Sequence, residues 1–231
     1  MATVTTGILQ SSIGRKYIMA LSGLFLCTFL IVHMLGNLAL FKDDGGQAFN
    51  EYTYFMTHNP LIMIVAYVNY ALILLHIAYS LVLALSNRKA RPESYALVNQ
   101  SKSATWSSRN MGILGSVILI FLIVHMRTFW FEMKFGTMPT IQYEGNDLIL
   151  KDMFSVVAEA FSQPWYVALY VVSMFAIAFH LYHGFQSGFQ TLGLNHHKYT
   201  PIIKNIGMLA FAVVIPALFA AMPLYFLILN L

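Results

Sequence analysis

The chain is poor in charge: 10% of its 231 residues are Asp, Glu, Lys or Arg, against roughly a quarter in an average soluble domain. That deficit excludes an ordinary soluble globular domain. A net charge of +4, spread thinly between long apolar runs, excludes nucleic acid as the implied partner. Cysteine is almost missing too. The single Cys27 sits inside an apolar run, so there is no intrachain disulfide, no Cys cluster for zinc or iron–sulfur, and no Cys-x-x-Cys-His for covalent haem attachment. Internal repeats, low-complexity tracts and a separate soluble domain are also absent, and residues 1–231 read as a single domain. What the chain has in excess is apolar residues, 58% of the total.

A membrane-spanning helix needs about 20 mainly apolar residues, and five stretches meet that length, near 17–41, 60–86, 111–131, 165–190 and 202–229. The expected fold is therefore an all-α integral membrane bundle of five transmembrane helices. The first stretch is too long for a signal-peptide core and no small-residue cleavage site follows it, so it is expected to stay in the mature protein. Pro60, Pro164 and Pro201 fall where helices start, where a missing N–H is harmless, whereas Pro216 and Pro223 predict kinks in the last helix.

Loop charges set an orientation. The N-terminus, the Asn87–Asn110 loop and the Thr191–Asn205 loop hold nine Lys/Arg and one acid, while the other loops hold four Lys/Arg and eight acids. The positive-inside rule places the N-terminus in the cytoplasm and the C-terminus outside, as expected for a multi-pass protein of the cytoplasmic membrane. Among the outer connections, Gln47–His58 reads as a short interfacial helix. Thr140–Tyr143 and Leu148–Leu150 read as a small hairpin around Glu-Gly-Asn-Asp, and Asp152–Phe161 as a short amphipathic helix.

Four histidines interrupt apolar sequence in mid-span: His33, His76, His125 and His180, one in each of the first four helices, with His183 one turn after His180. Ionisable groups at that depth are rare and commonly functional, although a lone one serves about as often as a helix–helix hydrogen-bonding group. Because successive helices run in opposite directions, His33 and His125 belong to the outer half of the bilayer and His76 and His180 to the inner half. At 1.5 Å per residue the two levels lie about 10 Å apart. Two imidazole pairs, each drawn from two helices, are what two bis-histidine haem irons stacked across a membrane require. Filled axial positions suit electron transfer, and without an attachment motif both haems would be of b type. Gly23, Gly36, Gly112, Gly115, Gly184 and Gly188 offer room for a porphyrin, or equally for tight helix packing. Spacing alone does not choose between His180 and His183.

Haem propionates need cationic or hydroxyl partners near the bilayer edges. Arg127 is the candidate at the outer end, and Arg15, Ser22, Ser108, Arg109 and Gln190 are the candidates at the inner end. A proton relay on the outer side calls for a carboxylate or imidazole, for which Glu51 and then His58 are the candidates.

These pieces together resemble the diheme cytochrome b membrane anchor of bacterial succinate dehydrogenase and fumarate reductase. The resemblance is carried by Ser-Ser-Ile-Gly-Arg-Lys before the first helix, His33-Met-Leu-Gly-Asn37, His76, Trp106-Ser-Ser-Arg-Asn-Met111 and His125. Its most specific part is His180-Leu-Tyr-His-Gly-Phe-Gln-Ser-Gly-Phe-Gln-Thr-Leu-Gly193. It implies one axial ligand from each of the first four helices, with the fourth thirteen residues before the terminal glycine, which favours His180 over His183. The inner haem would then be held by His76 and His180 and the outer by His33 and His125. It further implies a flavoprotein subunit, an iron–sulfur subunit docked on the cytoplasmic face, and a membrane quinone, with menaquinone the usual partner of diheme members. With no flavin or iron–sulfur motif of its own, the chain alone should not oxidise succinate. The direction of the reaction and the pairing of complexes into dimers are left open. The competing expectations are the diheme anchor of a hydrogenase or formate dehydrogenase, and a histidine-relay transporter or proton channel.

Overall fold

Within lipid a backbone polar group has no water to bond, so a long apolar segment satisfies itself as helix. The computed structural model describes residues 11–89, 105–145 and 147–229. Among them, five helices are long and apolar enough to cross a membrane: Ser12–Phe41, Pro60–Lys89, Met111–Phe135, Pro164–Thr191 and Thr200–Leu229. The chain is an all-α, multi-pass membrane protein. Arg91, Glu93 and Lys102 of the loop charge count, and Asn146 of the hairpin turn, lie outside the described residues.

Every span runs past its hydropathy limits at one end or both, and at the start of the first a polar cap sets the end. Helix α1 (Ser12–Asn37) starts at Ser12 rather than Tyr17, since the Ser11 hydroxyl accepts from the Gly14 N–H at 2.9 Å. A 3-10 turn, Leu38–Phe41, then completes the span. After α2 (Gln47–His58), the Asn59 side chain accepts from the Leu61 and Ile62 N–H groups and launches α3 (Pro60–Lys89). Thr105 caps the short α4 (Trp106–Arg109) ahead of α5 (Met111–His125). The third span continues as a π-helical segment, Met126–Phe131, and ends in α6 (Glu132–Phe135).

Pro164 stands at the start of α8 (Pro164–Thr191), which follows α7 (Met153–Phe161). Gly193, at φ 75°, closes α8 in the left-handed conformation that glycine adopts most readily. The last span is α9 (Thr200–Ile206), a π-helical segment Gly207–Val214 and α10 (Ile215–Leu229). Pro216 follows those widened turns directly, which accommodates a ring that cannot fit the regular ladder. Pro223 stays inside α10 and is fully buried.

Helix α8 is the axis of the bundle. Of its most apolar stretch 39% is buried, against 6% for α3. Tyr166, Tyr170, Ser173, Met174, Ile177, Leu181, Phe185 and Gly188 recur at three- and four-residue spacing as one buried stripe. Around it pack α1, α5, the Gly207–Val214 segment and α10, while α3 leans chiefly on α1.

The short helix, the hairpin and the helix after it form as expected from sequence, and they pack together as a cap at the end of the first span. Strands β1 (Thr140–Ile141) and β2 (Leu150–Lys151) pair antiparallel, with α7 following on the Asp152 cap. Asn50, 1% exposed, ties α2 to this cap: its amide donates to Tyr143 Oη and Asp152 Oδ1, both at 2.9 Å, and its oxygen accepts from the Phe154 N–H at 3.0 Å. Tyr52 lies over Gly36 so closely that a Cβ there would collide with the far end of its ring. Burial of that phenol pushes its pKa up. Gly36→Ala should therefore push the Tyr52 ring aside, at about 1 kcal/mol of overpacking, and a lowered thermal midpoint of the detergent-solubilised protein checks it.

Candidate functional site

Four helices bring four imidazoles together two by two. The His33 and His125 rings, from α1 and α5, have centroids 5.9 Å apart and stand nearly perpendicular at 89°. The His76 and His180 rings, from α3 and α8, are 6.4 Å apart at 63°. Neither pair joins helices that pack closely on one another: the close neighbours are α1 with α3, α1 with α8, and α5 with α8. Each pair thus bridges a gap across the bundle. All four rings are partly buried.

Ring separations near 6 Å also occur between ordinary aromatic neighbours, so the nitrogens carry the finer information. Ser22, 1% exposed on α1, has its hydroxyl 2.7 Å from the Ile18 carbonyl and 3.0 Å from His76 Nδ1. With the hydroxyl proton on Ile18 the oxygen accepts from Nδ1–H, the tautomer that leaves Nε2 with a free lone pair. On the other level, His125 Nδ1 is 2.9 Å from the Tyr170 hydroxyl, which is in turn 3.2 Å from the Tyr166 hydroxyl. Asn37 folds back one turn, its amide 3.3 Å from His33 Nδ1 and donating to the His33 carbonyl at 2.7 Å. His180 Nδ1 is buried with no hydrogen-bond partner among the described residues.

The two levels differ in their surroundings. Phe29 stacks on His33 at 5.2 Å and Phe219 lies at 5.6 Å, while Phe121, Phe129 and Tyr170 surround His125. At the other level Gly23 makes room for an imidazole: a Cβ there would stand 3.3 Å from His76 Cε1.

Do these residues fit a haem? Metal–imidazole bonds are about 2 Å long, so two rings on opposite sides of one metal have centroids about 6 Å apart, close to both observed separations. Ligating histidines as a rule have their second nitrogen held by a hydrogen-bonding partner, as His76 and His125 do here. No group of three or more His, Cys, Asp or Glu suited to a bare metal ion occurs among the described residues. Two imidazoles per centre instead suit a macrocycle that brings its own equatorial nitrogens. Gly112, Gly115 and Gly184 have open space where a side chain would stand, whereas Gly36 and Gly188 are filled by Tyr52 and Leu24. The donor set fits two bis-histidine b haems.

The other sequence candidates fall in different places. Arg127 is 63% exposed, forms an ion pair with Glu132 on its own span and lies over the Phe131 ring. Ser22 serves His76 rather than standing at the bundle's edge. Arg15 and Ser108 are half-buried, Ser108 giving its N–H to the Thr105 cap, and Arg109 is exposed. Gln190 lines a cavity of about 170 Å³ with Gln186, Asn195, Thr200 and Lys204 between the end of α8 and the start of α9. Glu51 is exposed on α2 and accepts from Gln47 Nε2 at 2.9 Å. His183 is half-buried and contributes no ring to either pair.

Sequence reasoning missed Tyr170, Tyr166 and the role of Asn37. Two tyrosines one turn apart in mid-span are a readable signal, because a buried phenol needs a partner. No family model, curated protein or solved structure matches the chain.

Proposed function

We infer that this chain is the membrane anchor and diheme cytochrome b subunit of a succinate:quinone oxidoreductase. It would carry electrons between a cytoplasmic iron–sulfur subunit and membrane quinone, with menaquinone the expected species. The observation that supports this most is the arrangement of His33 with His125 and His76 with His180, at two levels of one bundle. The sequence resemblance to diheme succinate dehydrogenase anchors supplies the partners.

His76 and His180 would hold the haem nearer the cytoplasmic N-terminus, and His33 and His125 the outer one. A haem held by two histidines would supply one-electron transfer rather than oxygen chemistry. The chain's own residues do the rest. Ser22 keeps the His76 Nε2 lone pair available, and Tyr170 steadies His125. The phenyl rings of Phe29, Phe121, Phe129 and Phe219 keep water from the outer pair. Glu51, exposed on α2, is the proposed proton-exchanging carboxylate on the quinone side.

Purification from native membranes through a tag on this chain tests the assignment. A flavoprotein and an iron–sulfur subunit should co-purify, and succinate should reduce the b-type absorbance. Co-purification of a hydrogenase or formate dehydrogenase subunit, with no response to succinate, would reassign the anchor.

A further inference from the structure

A second site lies away from the histidines. At the face where the first span ends, a cavity of about 380 Å³ opens between α2, the end of the third span and the β-hairpin. Its walls include Tyr54, His58, Met133, Lys134, Ile149 and Lys151, and no Asp or Glu lines it. Its depth is set by the chain itself, since His58 stands just before Pro60, where the second span begins, and Lys134 just before Phe135, where the third ends. The cavity therefore opens where two spans end, among the polar connections.

Two lysines line it. Neither Lys134 nor Lys151 forms an ion pair among the described residues, and the carboxylate bonded to the same wall, Asp152, is engaged by the Asn50 amide. Lys151 gives one N–H to the Met133 carbonyl, which fixes its ammonium at the rim and leaves two donors. His58 stacks on Tyr54 at 4.0 Å and makes a rigid wall. Beside these cations the surface is apolar: Ile149 is 67% exposed and Phe135 is 68% exposed. Two unpaired cations over a pocket at the ends of two spans, flanked by bare apolar side chains, match an amphiphile with an anionic head.

We propose that this cavity binds an anionic phospholipid, the phosphate between Lys134 and Lys151 and the acyl chains along Phe135 and Ile149. A lipid so placed cements α2 and the hairpin to the ends of the second and third spans. The site is independent of the metal centres.

The test uses the full-length protein with its co-purifying subunits in neutral detergent, delipidated and titrated with phosphatidylglycerol, phosphatidylcholine or inorganic phosphate. Bound lipid is read by native mass spectrometry. Phosphatidylglycerol should be retained in preference to phosphatidylcholine. A lysine near an anionic headgroup is worth about fivefold in binding, so Lys134→Gln should weaken retention by about that factor and Lys134→Arg should restore it. Lys151→Gln should weaken it similarly, and if loss of the Met133 bond unfolds that variant, Lys134→Gln decides alone. Equal retention by wild type and Lys134→Gln overturns the proposal. So does displacement of phosphatidylglycerol by inorganic phosphate at comparable concentration, which would make this a free-anion site.

Discussion

His76→Ala or His180→Ala is expected to abolish one of two b haems, that of the inner level, while the outer haem stays bound. His33→Ala or His125→Ala should do the reverse. The pairing follows from ring contacts, His33 with His125 and His76 with His180, with no ring of one pair in contact with a ring of the other among the described residues. Each pair joins helices that are not close neighbours, and removing one imidazole leaves its partner with no second imidazole in ring contact among the described residues to replace it. His183→Ala should leave both haems in place, because that ring joins neither pair. Haem content per chain and the reduced-minus-oxidised spectrum of each variant measure this. Loss of a haem in His183→Ala, with His180 dispensable, would move the ligand one turn along α8.

Ser22→Ala and Tyr170→Phe should each weaken one haem without removing its ligand. Groups that hold the second nitrogen of a ligating histidine are worth about 10–100-fold in metal affinity. Ser22 has the stronger claim, because the Ile18 carbonyl at 2.7 Å can take its proton and leave its oxygen to accept from His76 Nδ1–H. Without it His76 is free to take the other tautomer, with Nε2 protonated and unable to ligate. Ser22→Thr keeps the hydroxyl and should preserve most of the affinity. Tyr170→Phe removes only the atom that contacts His125 Nδ1 and leaves the aromatic packing with Phe121 and Phe161 in place. Haem loss on dilution or chelating-resin challenge, together with a shifted midpoint potential of the affected haem alone, separates these roles from simple destabilisation. Equal haem retention and unchanged potentials in Ser22→Ala would show that the hydroxyl only caps its own helix.

The spans were legible because lipid leaves an apolar segment one backbone solution. Their ends were less so: hydropathy stops at Tyr17, whereas the helix stops where Ser11 can cap it. The π-helical segment after His125 has no proline or glycine to announce it, and Pro216 marks a disturbance without saying that the turns before it widen. Depth along antiparallel helices places His33 at the level of His125 and His76 at that of His180, because 1.5 Å per residue is a fixed ruler. Rotation about a helix axis has no such ruler. Ser22 read as a propionate partner because its depth was known and its direction was not, and the structure turns it onto His76. Arg127 likewise lies near the right level but turns outward to Glu132 and Phe131.

The measurement that bears most directly on the central claim is haem stoichiometry by pyridine haemochrome on the purified protein, normalised to this chain. Two b haems per chain, both low-spin with imidazole on either side, is the result predicted by the two histidine pairs. Absence of haem in protein from haem-sufficient cells would contradict it and return the four histidines to helix–helix contacts or a proton relay.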